Sequence, residues 1–293
     1  MDQKSINLDV SADYCLSFLS DIHIRSVDDD NYKKLISYLR FCLGSGSKPE
    51  KTQRDETAAP NRTALGFSTD IELRDASVPT HLFFLGDIFD VWVGPSQYWR
   101  HKYSEFFTLL KELSLKGIKI FYFEGNHDFQ LDNEFLGQSG AQVFKDSHFF
   151  AAGELNFYVS HGDLMNPSDE GYIRLRKLLR SQPVKWLIKN VPGSVIESIG
   201  KTWSNQSRRS SQLKIEARTE SVREMMRHFA ESFSRRHRID WIITGHTHVR
   251  ELYRTKNSET VFVNLGTWLD APNVFEITNS TAGFKSVNHQ VPF

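Results

Sequence analysis

Five short stretches of the chain gather aspartate, asparagine and histidine in a pattern able to do chemistry. They are Asp21-Ile22-His23, Gly86-Asp87-Ile88-Phe89-Asp90, Gly125-Asn126-His127-Asp128, His161-Gly162-Asp163 and Gly245-His246-Thr247-His248. Carboxylates, imidazoles and a carboxamide oxygen together suit borderline or hard divalent ions such as Mn2+, Zn2+ or Fe2+. None of the stretches contains cysteine, which argues against a structural zinc site. Two divalent ions side by side would bind phosphoryl oxygens and activate water for an in-line displacement.

Buried strands must position these residues. Each stretch ends an apolar run, over residues 15–20, 81–85, 118–124, 155–160 and 239–244. Runs of this kind read as strands of a parallel sheet, which deliver functional residues just past their carboxyl ends. A carboxylate at the mouth of such a dry sheet is costly unless a positive charge sits on it. Asp87 is therefore read as bridging two metal ions. A single Gly-Asp after a strand is more simply a turn. Repetition at five strand ends is what carries the metal reading.

At 293 residues the chain suits one domain with an insertion. Its 36 basic and 36 acidic residues balance, so no pull toward nucleic acid is expected. Cys15 and Cys42 are too few for a disulfide framework. Residues 1–10 lack the apolar centre of a signal peptide, and no run reaches the ~18 apolar residues that span a bilayer. The expectation is a soluble cytoplasmic protein with no obligate protein partner.

Tyr32, Leu35, Ile36 and Leu39 share one helical face, and Gly44 stops that helix. Residues 45–68 are rich in Gly, Ser, Pro, Lys, Thr and Asn and predict a mobile loop. Trp99, Tyr103, Phe106, Phe107, Leu110 and Leu113 predict a core helix up to Gly117. Early strands alternate with helices, while later strands follow one another, which suits two packed sheets flanked by helices. Residues 171–214 differ from the rest: ten basic residues stand against the single acidic Glu197, interleaved with Val184, Trp186, Leu187, Ile188, Ile196, Ile199 and Trp203. This predicts a basic, amphipathic helical cap, inserted over residues 166–220 and suited to an anionic lipid or a membrane surface.

The five motifs, in this order and across nearly the whole chain, resemble those of the calcineurin-like metallophosphoesterases. The resemblance implies an αββα sandwich, α/β in class (α+β in some schemes), forming a single domain over residues 1–293 with the cap inserted. It implies one metal held by Asp21, His23, Asp87 and His248, and a second held by Asp87, Asn126, His161 and His246. The two divalent ions are read as Mn2+, with Zn2+ and Fe2+ as alternatives. His127 would face the phosphate as a catalytic proton donor, oriented by a catalytic Asp128. Asp90 and Asp163 would steady ligand imidazoles or local backbone.

Within that family the chain is similar to the UDP-2,3-diacylglucosamine pyrophosphatase branch of lipid A synthesis. The likeness rests on Asp169, Gly171 and Tyr172 after the His161 motif, and on the basic, tryptophan-containing cap. It rests also on the Ser/Asn/Arg-rich stretch 204–214, on Gly266-Thr267-Trp268, and on Val91-Trp92-Val93-Gly94 after Asp90. The branch implies cleavage of a pyrophosphate bond in an anionic nucleotide-sugar lipid, giving UMP and a lipid monophosphate, with peripheral contact at the inner membrane leaflet. Tyr172 would pack near the nucleotide or sugar, and Arg208, Arg209 and Lys214 would meet the diphosphate. The chain departs from the branch at His127, where Arg is common. A guanidinium is a fixed fork for phosphate, whereas an imidazole is a titratable donor. Within the family the alternative is a phosphoesterase acting on another nucleotide or lipid phosphate. Outside enzymes it is a non-catalytic metal-binding scaffold, a reading that lost ligands would mark; all seven are present.

Overall fold

The computed structural model describes the backbone of residues 6–7, 14–44, 66–72, 78–131, 136–212 and 215–287, and the side chains of these except 6–7, 66–72 and 203–218. Strands in chain order are β1 (Ile6–Asn7), β2 (Cys15–Leu19), β3 (Gly66–Glu72), β4 (His81–Phe84), β5 (Trp92–Val93), β6 (Lys119–Phe123), β7 (Asp128–Phe129) and β8 (Ala141–Phe144). They continue as β9 (His148–Ala152), β10 (Leu155–Val159), β11 (Trp241–Thr244), β12 (Glu251–Arg254), β13 (Val261–Asn264), β14 (Asn273–Thr278) and β15 (Thr281–Ser286). Helices are α1 (Asp30–Gly44), α2 (Gln97–Lys102), α3 (Ser104–Leu115), α4 (Glu170–Leu179), α5 (Gln182–Asn190), α6 (Gly193–Gln212) and α7 (Ile215–Ser234).

A seven-stranded sheet runs β3-β15-β14-β2-β4-β6-β8, and a six-stranded sheet runs β1-β9-β10-β11-β13-β12. Alternation along the strands explains how layers form on them. On β4, Leu82 and Phe84 join one apolar cluster while Phe83 joins another. β6 repeats this, with Ile120 and Tyr122 on one side and Phe121 and Phe123 on the other. The first side packs on Leu35 and Leu39 of α1 and on Phe106 and Leu110 of α3. The second meets Phe150, Phe157, Trp241 and Ile243 of the six-stranded sheet. Rings stack through this interior, Phe18 on Phe83 at 4.7 Å, Phe83 on Phe150 at 5.1 Å and Phe150 on Phe157 at 4.7 Å. Ile242 and Phe262 face the other way, onto Met226 and Ala230 of α7. Because the strands are apolar on both faces, helix, sheet, sheet and helix stack in the expected αββα sandwich.

Parallel pairing sets the carboxyl ends of β2, β4 and β6 side by side, with Leu19 opposite Phe84 and Phe84 opposite Tyr122. β10 and β11 are also parallel. Past these ends the motif backbones bond directly: Asp21 N–H to the Gly86 carbonyl at 3.1 Å, His23 N–H to Asp87 at 3.0 Å, and Gly245 N–H to His161 at 2.8 Å.

The expected long aromatic helix is two helices, since the chain breaks at Tyr103 (φ −113°, ψ 37°) between α2 and α3. Trp99, Tyr103 and Phe106 are buried all the same. Of the predicted mobile loop, residues 45–65 lie outside the described residues, while 66–68 belong to β3, paired with β15. The predicted cap spans α4, α5 and α6, and its far boundary at residue 220 falls inside α7. No helix among the described residues is long and apolar enough to cross a membrane.

Candidate metal centre

Asp21 and His23 follow β2, Asp87 follows β4, Asn126 follows β6, His161 follows β10, and His246 and His248 follow β11. Among the described residues, seven non-glycines have positive φ, and five of them are Asp21, His23, Asp87, His246 and His248, between 51° and 71°. Such a conformation costs roughly 1–3 kcal/mol per residue and persists only where its surroundings enforce it. Here the loops interlock: a Cβ on Gly125 would sit 2.1 Å from Asp87 Oδ1.

The side chains converge in two adjoining groups. His161 donates its Nδ1–H to the Leu85 carbonyl at 2.8 Å; a carbonyl only accepts, so in neutral His161 Nε2 is the bare nitrogen. That Nε2 lies 3.0 Å from Asn126 Oδ1, 3.2 Å from His246 Nδ1 and 3.5 Å from Asp87 Oδ2. In the second group His23 Nε2 is 2.9 Å from His248 Nε2, which is 3.3 Å from Asp21 Oδ1. The structure thus brings together all seven residues that the sequence singles out as ligands.

Asp21 and Asp87 are buried. Burial pushes the Asp87 carboxyl up, but His161, His127 and His23 outweigh it and hold it below the carboxylate range. Asp21 is lowered likewise, against burial, by His248 and His161. The imidazoles cannot all supply that positive charge, because their nitrogens face one another. Burial and neighbouring His161 push His246 down to about 4. His161 is pulled up to about 9, against burial, by Asp87, Asp21 and Asp163. Asp21 Oδ1 and His23 Nδ1 are buried without a hydrogen-bond partner. Converging lone pairs with too few protons between them are a donor set that fits divalent cations.

His127 donates Nδ1–H to the Asp90 carbonyl at 2.9 Å, which leaves Nε2 for other partners. Its ring lies 5.1 Å from that of His23, and it forms a metal-capable set with His23 and Asp87. Asp128, expected to be catalytic and to orient His127, has its side-chain hydrogen bonds on other groups. Asp128 is fully buried and accepts the N–H groups of Asp87 and Ile88 at 2.8 Å, that of Gly125 at 2.9 Å, and the Tyr122 hydroxyl at 2.6 Å. A buried carboxylate must be met by local donors, so it shapes the Asp87 turn and has none of its bonds on the His127 ring.

Asp90 Oδ1 is 3.7 Å from His23 Nδ1. Asp163 instead takes Arg176 Nε at 2.7 Å and the Tyr172 hydroxyl. That bond sets Tyr172 at the edge of the centre, its ring 6.2 Å from that of His246. Arg208 and Arg209 lie on α6 with side chains outside the described set, and Lys214 lies outside the described residues.

Two features escape sequence reasoning. Buried Glu124 pairs with Arg180, Oε2 to Nη1 at 3.1 Å, across a separation no local spacing rule connects. A cavity of about 710 Å³ is lined by Asn126, His127 and Tyr172 together with Leu179, Ile188 and Ile199 of α4, α5 and α6. Its only advance signal was the apolar content of residues 171–214.

The calcineurin-like phosphoesterase family pattern matches residues 17–250. A relative from Photorhabdus laumondii is 27% identical over 209 residues, 71% of this chain and 85% of the relative. One from Pseudomonas fluorescens is 28% identical over 198 residues, 64% of this chain and 74% of the relative. One from Stutzerimonas stutzeri is 29% identical over 167 residues, 57% and 68% of the two chains. Each of the three is named a UDP-2,3-diacylglucosamine hydrolase. With most of its length matched and the convergent donors in place, the chain belongs to the calcineurin-like phosphoesterase family and is a metal-dependent phosphoester hydrolase.

Proposed function

We propose that the enzyme hydrolyses the pyrophosphate bond of UDP-2,3-diacylglucosamine, releasing UMP and 2,3-diacylglucosamine 1-phosphate for lipid A synthesis. The observation that carries this reading is the cavity of about 710 Å³ that joins Asn126 and His127 to an apolar wall from the cap helices. Its size is that of a ligand site, and an apolar wall is of little use to a small, water-soluble phosphate. Each acyl CH2 buried there contributes ~0.8 kcal/mol, so a few contacts would dominate affinity. The names of the relatives support the same substrate.

Asp21, His23, Asp87 and His248 would hold one divalent ion, Mn2+ in this reading, and Asp87, Asn126, His161 and His246 the other. Bound ions supply Lewis acidity at phosphoryl oxygens and ease deprotonation of water. The chain does the rest. The Leu85 carbonyl fixes the His161 ring, so its bare Nε2 faces the centre. The Asp90 carbonyl fixes the His127 ring in the same way, so that in the imidazolium form Nε2–H can give a proton or a hydrogen bond to the phosphate. Asp128 holds the Asp87 turn. Exposed Trp186, Leu187 and Leu178, beside Lys185, Lys189 and Lys177, would meet an anionic leaflet from which the substrate is drawn.

Mass-spectrometric product analysis of the Mn2+-loaded enzyme tests the substrate, with UDP-2,3-diacylglucosamine set beside UDP-glucosamine. UMP and the lipid monophosphate should form from the acylated compound, with kcat/KM at least ~100-fold higher than for the deacylated one. Equal rates on both would end the lipid reading and leave a phosphoesterase of another nucleotide or lipid phosphate.

A further inference from the structure

Helix α4 buries none of its own side chains. A helix without a buried stripe must be held by other ties. Its ties include polar ones to two motif loops and to Lys145 and Asp146 in the turn between β8 and β9. Tyr172 and Arg176 hold Asp163, two residues beyond His161. At the far end of the helix, Arg180 reaches residues 124–131. Its Nη2 donates to the Gly125 carbonyl at 2.8 Å, while its Nη1 lies 3.1 Å from Glu124 Oε2 and donates to the Lys145 carbonyl at 2.9 Å. Gln130, at φ 56°, adds a bond from Nε2 to the Leu179 carbonyl at 2.6 Å. The other oxygen of Glu124 accepts the Leu131 N–H at 2.8 Å. Glu124 therefore closes the loop end to end, and Arg180 fastens that closed loop to α4. Asn126 and His127 sit inside the closed span and line the same cavity as Leu175 and Leu179 of α4.

We propose that Arg180 is a positioning residue that sets Asn126 and His127 relative to the cavity wall. The proposal rests on the reading above, in which those two residues act at the phosphoryl group. A guanidinium presents several donors in one rigid plane and serves two carbonyls and a carboxylate at once; a lysine ammonium is a compact charge that cannot. Occupancy of the cavity and the placement of the reacting groups are thereby coupled through Arg180, with the Gln130 bond to Leu179 beside it.

The test uses full-length, Mn2+-loaded Arg180→Ala and Arg180→Lys, with both bis(p-nitrophenyl) phosphate and UDP-2,3-diacylglucosamine. The rate kcat per folded, metal-loaded chain should fall about tenfold or more on both substrates, with KM for the acylated one nearly unchanged. Lysine should restore little, and free guanidinium should restore part of the Arg180→Ala loss. In metal-free protein the His127 ring resonances should shift in Arg180→Ala while those of His237 stay in place. If Arg180→Ala does not fold, Glu124→Gln carries the same expectations. A lower melting temperature with unchanged kcat per folded chain and unmoved His127 resonances would overturn the proposal, as would a change confined to KM. A normal rate in His127→Ala would instead overturn the reading of the site itself.

Discussion

His127 stands beside the seven ligand-type residues and shares a metal-capable set with His23 and Asp87, so its role has to be separated from theirs. His127→Ala should keep both metals and lower kcat by ~10²-fold or more, the scale of a lost general acid. Loss of metal with an unchanged chemical step, read by elemental analysis and single-turnover kinetics, would make it a ligand. Asp128→Asn should behave differently. It withdraws acceptor capacity from buried N–H groups, each costing roughly 1–3 kcal/mol when unmet. Melting temperature should therefore fall, and the metal concentration for half-maximal activity should rise about 10–100-fold, as for supporting groups behind metal ligands. Unaltered stability and metal demand with a lost chemical step would make Asp128 catalytic. The seven candidate ligands were legible in the sequence because each is a donor type at a strand end. The work of Asp128 was not, because its partners include backbone N–H groups of a loop some forty residues away.

Among elements, α6 shows how the cap is fastened. Glu197, the one acidic residue of 171–214, turns inward and is buried. It pairs with Lys102 of α2, accepts the Tyr98 hydroxyl, and meets Lys201 at 2.8 Å. Beside it Gly200 packs so close to Val91 that a Cβ would lie 2.5 Å from Cγ1. Burial pushes the Glu197 carboxyl up, but Lys102, Lys201 and Tyr98 outweigh it and hold it below its ordinary 4.5. A depressed folded-state pKa gives stability that is complete above the unfolded value and lost as pH falls through the folded one. The latch is therefore intact at neutral pH, and the Glu197 contribution is lost in acid. Glu197→Gln should destabilise the cap by about 1–3 kcal/mol, read as faster amide exchange in α6 at pH 7. Exchange no faster than wild type would show that apolar packing alone holds the helix. Sequence periodicity found the helical character of this region, and it marked Glu197 only as an exception. The partner Lys102 lies on a separate helix that the aromatic stripe had fused with α3.

Over the whole molecule, the sandwich was readable because its strands are apolar on both faces and its motifs fall at their ends. The cavity was not. It exists only where α4, α5 and α6 meet the loops after β4 and β6, and the mutual placement of amphipathic helices has no signature in one chain's spacing. Net charge told as little: balanced totals conceal a basic insert on an acidic remainder. What unites the levels is the convergence of seven donors, five of them in strained backbone, on a centre where Asp21 Oδ1 and His23 Nδ1 are buried without a hydrogen-bond partner. Counting bound Mn2+ per folded chain, in wild type and in Asp87→Ala, tests that most directly. Two ions should bind to the wild type, and Asp87→Ala should lose at least one of them together with hydrolysis, because a carboxylate shared by both cations has gone. Two ions and near-native turnover in Asp87→Ala would contradict the account.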